Sequence, residues 1–335
     1  MYRFFACFAF CSLVAVTHAD DRWLEFPGGD GPGAGKHIVL VSGDHEYRSE
    51  EAFPQLGKIL SVHHGFKCTV LFAIDEDTGI INPKNVENIP GLEALESADL
   101  VIMGLRFRNL VDDQMKMIMD YVEAGRPLMG LRTSTHPFDI PADRKYSAES
   151  WNNKDEANAG GFGRRVFGET WVAHHGKHAF ESTRGIIADT DHPIVRGIED
   201  GEIWGPTDVY RVTLPLSGDG HAVVKGQILT GMNENDEPIT DDRNDPMMPI
   251  AWTRTYKGGR VFTTTMGSAD DLPNEGVRRM LVNAAYWCMG MEDKIDGDSD
   301  VSIVGEYEPT KFGFNTYVPG RKPADYDLHE EATTK

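Results

Sequence analysis

Four short apolar runs, separated by stretches of helical period or polar loop, constrain the fold of this chain more than any other feature. The first, residues 37–43, reads His-Ile-Val-Leu-Val-Ser-Gly. Residues 67–74, 99–105 and 127–133 repeat the type. Runs apolar at every position suit strands covered on both faces, as in a parallel sheet, because a half-wet strand would alternate. Between the first two runs, Phe53, Leu56, Ile59, Leu60 and His63 fall on one helical stripe, with Ser49 expected as N-cap and Pro54 expected in the first turn. Val111, Met115, Ile118, Met119 and Val122 form the inner face of a second helix, which Gly125 should stop. Further strands are expected at 185–188, 222–229, 249–256 and 260–265. A closing helix, capped by Asn274 and stopped by Gly290, carries Val277, Leu281, Ala284, Ala285 and Cys288. This order predicts an α/β fold built on a doubly wound, mostly parallel sheet.

The ends of the chain read differently. Arg3, an apolar stretch from Phe4 to Val16 and small residues at Thr17 and Ala19 have the pattern of a signal peptide over 1–19, with cleavage after Ala19. Its 13-residue apolar run is shorter than the roughly 20 residues that span a bilayer. The chain is therefore expected to be exported to the periplasm or the extracellular space. Residues 20–35 read as a Gly- and Pro-rich linker, 36–290 as the body, and 291–335 as an acidic arm whose aromatics suit packing on the body. A formal charge of -20 repels phosphate backbones and anionic headgroups. Neither nucleic acid nor membrane is expected as a partner; a small-molecule sugar is, and a homo-oligomer remains open. Cys68 and Cys288 lie in apolar runs and are read as buried thiols, a disulfide between them staying open. The acidic run at 296–300 lacks the Gly and Glu of a calcium loop and reads as solvated.

Ligands of an open parallel sheet bind beyond the carboxyl ends of its strands. That rule selects Asp44, His45 and Glu46 after the first strand, Arg106 after the third, Arg132 and His136 after the fourth, and Met266 and Gly267 after the last. The arginines either pair with the carboxylates in a structural network or hold a polar ligand through bidentate guanidinium contacts. His174, His175 and His178 form a second cluster, readable as acid–base groups, as metal ligands together with Asp44 or Glu46, or as structural histidines. His174 and His175 are taken as the catalytic pair. Arg132 stands two residues after Gly130, where a nucleophile elbow would carry Cys or Ser. No Gly-x-Gly-x-x-Gly or Walker loop follows any strand, so no nucleotide cofactor is expected; a divalent metal is the one cofactor left open.

The motifs Lys36–Gly43 with Asp44-His-Glu-Tyr-Arg48, Gly130-Leu-Arg132 with Thr135-His136, Trp171 to His175, Thr207-Asp-Val-Tyr210, Pro249-Ile-Ala-Trp-Thr253 and Thr265-Met-Gly267 resemble the ThuA-like, trehalose-utilisation family. The resemblance runs from about 36 to 290 in unbroken order. It implies a flavodoxin-like sheet of the class I glutamine-amidotransferase type, without an active amidotransferase site, and a link to disaccharides and keto-sugars. A sugar-processing hydrolase, lyase or isomerase is the expected activity, with Trp252 read equally as a stacking surface for a sugar ring or as a core tryptophan. A non-catalytic carbohydrate-binding or scaffold protein is the alternative. Where many relatives carry His, this chain has Arg132.

Overall fold

The computed structural model describes residues 21–328. The leader read at 1–19 lies outside the described residues. Ten strands form one sheet: β1 Trp23–Phe26, β2 His37–Gly43, β3 Lys67–Phe72, β4 Leu100–Leu105, β5 Leu128–Leu131, β6 Thr183–Ile187, β7 Trp204–Gly205, β8 His221–Ile228, β9 Met248–Tyr256 and β10 Gly259–Thr264. Their spatial order is β1-β3-β2-β4-β5-β10-β9-β8-β6-β7. The five strands from β3 to β10 are mutually parallel, and antiparallel strands extend the sheet on both sides. The sheet is thus mixed, with its parallel block in the middle.

Helices cover both faces. α1 (Ser49–Val62) and α4 (Glu275–Cys288) pack Phe53, Leu56, Val277 and Leu281 into one core layer. α2 (Asp112–Glu123) and α3 (Gly161–Phe167) pack Met115, Ile118, Val122 and Phe167 into the other. Each such side chain, fully buried, contributes about 1.5–3 kcal/mol of hydrophobic transfer free energy. Two strand glycines set how closely the helices approach. A Cβ on Gly104 would stand 2.6 Å from the Phe53 ring, and one on Gly130 2.6 Å from Phe167.

Three local expectations are corrected. Residues 20–35, expected as a linker, contain β1, which pairs with β3 and buries Leu24 and Phe26 in the core. The N-cap of α1 is Arg48, in the left-handed region at φ 58°, while the Ser49 hydroxyl turns back to Ser42 and to the Asp44 amide. Pro54 lies in the second turn of α1, deeper than expected. Cys68 and Cys288 are free, buried thiols, as read from the sequence. No helix among the described residues is long and apolar enough to cross a membrane.

The described part of the acidic arm, residues 291–328, lies on the body. Arg48 holds it through the Thr310 hydroxyl (2.8 Å) and the Lys311 carbonyl (2.9 Å), and Glu51 accepts from the Thr310 amide (2.7 Å). The Gly313 amide donates to the Glu46 carbonyl (2.9 Å). Arg48 and Glu51 sit at the start of α1, so the arm is fixed directly over the carboxyl ends of the parallel strands.

Candidate functional site

The strand ends carry an unusual backbone. Of the six described non-glycine residues with positive φ, five lie at or beside them: Arg48, Phe107, Arg132, Ala179 and Asn315. Left-handed conformations are disfavoured for residues with a Cβ and concentrate where a loop must aim a side chain.

Arg132 occupies the centre. Its guanidinium lies between the rings of Tyr47 and Tyr210, 4.2 and 3.9 Å from their centroids. Its terminal nitrogens donate to the Asp208 and Thr265 carbonyls (2.8 and 2.5 Å), the Tyr47 hydroxyl (3.0 Å) and Asp208 Oδ1 (3.1 Å). Only its Nε lacks a partner. Arg132 is therefore the post that ties the ends of β5 and β10 to the 207–210 segment. Asp44 is equally enclosed, accepting from the Glu46 amide (2.8 Å) and the Thr133 hydroxyl (2.9 Å).

Around this post the groups are less complete. His45 stands between two guanidinium groups, its Nε2 2.7 Å from Arg106 and its Nδ1 2.9 Å from Arg108. Burial and the two cations push its pKa down to about 3, so the ring is neutral. A neutral imidazole accepts at one nitrogen only, and one arginine N–H is left facing another donor. Arg106 also pairs with Glu46 Oε2 at 2.9 Å, while its Nε has no partner. Glu46 is buried, with Oε1 unpartnered and 3.6 Å from His178 Nε2. Burial foremost, against the pull of Arg106, lifts its pKa to about 7.

The short ribbon that pairs Ala173–His174 with Tyr210–Arg211 places His174 beside Asp208. His174 Nδ1 lies 2.8 Å from Asp208 Oδ2 and His178 Nδ1 lies 3.2 Å from Asp208 Oδ1. Burial opposes ionisation of Asp208, but contacts from His174, His178 and Arg132 prevail and hold it below the usual carboxylate range. The coordinating atoms of His174, His178 and Asp208 all fall within 4.8 Å of one another.

Aromatic rings rim this floor. Trp151 and Trp171 approach to 5.7 Å between centroids, with Phe107 against Trp151 at 5.4 Å and His136 against Trp171 at 5.3 Å. From the arm, Phe314 stacks on His178 at 4.5 Å and remains 51% exposed. Both indole N–H groups, of Trp151 and Trp171, are buried without partners.

The structure brings together Asp44, His45, Glu46, Arg106, Arg132 and His136, all selected by the strand-end rule, and adds His174 from the second cluster. It separates Trp252 and His175 from them and keeps Met266 and Gly267 beside Arg132 only as backbone. Trp252 is wholly buried, its indole N–H bonded to the Phe167 carbonyl at 2.6 Å, so it belongs to the core and presents no face to a ligand. His175 turns away from its neighbour, with Nε2 on the Arg243 carbonyl at 2.8 Å. Met266 and Gly267 shape the turn after β10: the Met266 carbonyl accepts from the Arg132 amide, and Asp271 accepts from the Gly267 amide. Asp208, His178, Trp151, Trp171 and Phe314 complete the site. Asp208 had a signal in the Thr207-Asp-Val-Tyr210 motif; Phe314 had only the aromatic pattern of the arm, which suits packing on the body but does not say where.

A profile of a family described as trehalose utilisation, ThuA, matches residues 39–288. The chain belongs to the ThuA family. Membership gives it a carbohydrate-related role at the coarsest level. Among solved structures, the ThuA chain is similar to a ThuA-like protein from Bacteroides uniformis at 15% identity and TM-score 0.47, covering 78% of this chain and 93% of that one. Another ThuA-like protein, from Parabacteroides merdae, is similar at 14% identity and TM-score 0.42, covering 76% and 89%. A β-galactosidase from Rahnella sp. R3 is similar at 11% identity and TM-score 0.42, over 78% of this chain and 32% of that one. No curated protein matches.

A cavity of about 860 Å³ lies elsewhere, between α1 and the arm, with Gln55, Lys58, Tyr307, Arg321 and Tyr326 in its walls. Among the described residues the three groups able to converge on one ion lie at the strand ends of this ThuA chain and not in that cavity. The strand ends are therefore the candidate site.

Proposed function

We propose that the chain is an exported enzyme that processes a disaccharide or keto-glycoside at these strand ends, without a cysteine nucleophile. The observation that carries this reading is the rim of Phe107, Trp151, Trp171 and Phe314 standing over a polar floor of Glu46, Arg106, His174 and His178. A pyranose offers the same two surfaces. Its C–H face suits the electron-rich face of an aromatic ring, and its hydroxyls suit buried groups that still lack partners. The indole N–H groups of Trp151 and Trp171 and Oε1 of Glu46 are such groups.

His174, 28% exposed at its side chain, is the imidazole within reach of a bound sugar. Arg106 orients the substrate, its side chain 12% exposed. Cys68 and Cys288 take no part: both are buried, and burial pushes their thiols far up from the ordinary range. Export rests on the leader pattern of residues 1–19.

The test is turnover. The purified protein is incubated with trehalose, other disaccharides and their 3-keto derivatives, and products are followed by mass spectrometry. Conversion of at least one, lost in Arg106→Gln, supports the reading. Saturable sugar binding by calorimetry without conversion of any would replace it with a carbohydrate-binding protein.

A further inference from the structure

The floor of the site contains a hydrogen-bonding mismatch. His178 faces a carboxylate from each of its nitrogens: Asp208 Oδ1 lies 3.2 Å from Nδ1, and Glu46 Oε1 lies 3.6 Å from Nε2. A neutral imidazole carries one N–H. If that proton sits on Nδ1 for Asp208, Nε2 is a bare acceptor facing Glu46, whose Oε1 is buried and has no partner. Asp208, for its part, has more partners than a single buried carboxylate needs. Arg132 alone supplies it with a charge-assisted contact at 3.1 Å, and two imidazoles converge on it as well.

We propose that His174 Nδ1, His178 Nδ1 and an oxygen of Asp208 bind a divalent first-row transition ion such as zinc, iron(II) or manganese. Both features then have one cause. With Nδ1 of His178 on the ion, its proton moves to Nε2 and points at Glu46 Oε1, which gains its missing donor. That is the carboxylate–histidine–metal arrangement by which buried carboxylates orient ligating imidazoles. Arg132 holds Asp208 from the far side in the same way. The atoms already stand close to the required spacing: ligands about 2.0–2.2 Å from a tetrahedral ion lie roughly 3.3 Å apart. Asp208 Oδ2 lies 2.8 Å from His174 and Oδ1 3.2 Å from His178, and one ligand atom from each residue falls within 4.8 Å of the others. Two nitrogens and one oxygen favour a transition ion over calcium or magnesium, which take oxygen ligands. Three protein ligands leave positions open toward the aromatic rim, where an ion polarises a sugar hydroxyl or carbonyl.

The rival account needs no ion: an imidazolium at His178 donates to both carboxylates, or a protonated Glu46 donates to its Nε2. Metal content separates the two. The purified, untagged protein is stripped with chelator, reloaded separately with zinc, manganese or anaerobic iron(II), desalted and measured by elemental analysis. About one ion per chain is expected for one of the three metals, with a raised Tm. His174→Ala and His178→Ala should lose the ion, Glu46→Gln should bind it about 10–100-fold more weakly, and His175→Ala should keep it. The metal-free Tm of each variant is recorded. His174 is part-exposed, so loss of the ion in a folded His174→Ala reads on ligation. A wild-type protein that retains none of the three metals, or an ion retained by His174→Ala, overturns the proposal. The proposal extends the sugar reading but is measured without substrate, so either can fail alone.

Discussion

Arg132 and Arg106 stand at the ends of neighbouring strands of one sheet, yet they are set for different work. Arg132 is buried between two tyrosine rings, and both its terminal nitrogens bond to protein atoms. Nε is bare in both, but the terminal nitrogens of Arg106 have one partner of full strength, Glu46, and spend a second contact on a neutral imidazole. A guanidinium whose donors are satisfied inside the protein contributes stability and has little left for a ligand. One with donors unmet is pre-organised for a ligand at some cost to stability. Sequence position alone does not separate the two roles, since both arginines follow an apolar strand.

The largest effect that sharpens this contrast is on folding. Arg132→Gln should destabilise the protein by about 3–5 kcal/mol, because it leaves Asp208 buried without its cation. Arg106→Gln should cost about 1–2 kcal/mol while abolishing substrate conversion. Denaturant melts of both variants at one pH measure the difference. Equal destabilisation would erase the distinction between post and ligand-binding arm.

A second test asks whether every unpartnered buried group marks a site. Glu50, in the first turn of α1, is wholly buried with both oxygens unpartnered, and burial lifts its pKa to about 8. It lies outside the rim and floor. In the folded state it stays protonated up to about pH 8, whereas unfolded it ionises near 4.5. Between those values the unfolded state holds fewer protons, so stability falls as pH rises. Glu50→Gln removes that slope. It should match the wild type near pH 4.5 and exceed it by about 2–3 kcal/mol at pH 7. Thermal melts across pH 4.5 to 8 follow the difference. A pH-independent gap, or none, would show that Glu50 has a partner when folded.

The fold was largely legible because period and continuity of apolar residues report it directly. Residues 37–43 and 99–105 could only be buried strands, and the stripes of Phe53 to Leu60 and Met115 to Val122 placed helices on both faces. The strand-end rule then gathered Glu46, Arg106 and Arg132 without any structure. Trp252, read as a sugar-stacking surface from the family's sugar context, is a core residue instead, because a tryptophan inside an apolar strand carries no signal of which way it faces. The histidine cluster overrated His175 because His174, His175 and His178 differ only in where each ring points, and the short ribbon with Tyr210 decides that. Phe314 was beyond reach. Its position follows from Arg48 and Glu51 clamping a loop more than 250 residues away, and no local pattern encodes a contact of that span.

That arm supplies a smaller, cleaner test. Phe314 is 51% exposed and stacks on His178, so removing its ring leaves no cavity. Phe314→Ala should change stability by no more than about 0.5–1 kcal/mol. The ring forms one wall of the rim, and an aromatic contact of this kind is worth about 0.5–1.5 kcal/mol, or roughly a 2–10-fold rise in KM at unchanged kcat. A loss confined to kcat would assign Phe314 to positioning His178 instead of holding the sugar.

The smallest effect belongs to His175. Its ring makes one bond, to the Arg243 carbonyl. The loop has stronger anchors in the bidentate pair between Arg243 and Glu181, at 2.6 and 3.0 Å, and in the His175 amide on the Val209 carbonyl at 2.8 Å. His175→Ala leaves those in place and should shift stability by no more than about 0.5 kcal/mol. Turnover should not change, in contrast to His174→Ala, whose ring lies beside Asp208 on the floor. Paired kinetics on the two alanine variants decide it. If His175→Ala loses activity while its melt is unchanged, the loop must turn over on substrate binding and bring the second ring inward, and the boundary between anchored and ligand-facing groups drawn through residues 174 and 175 would have to move.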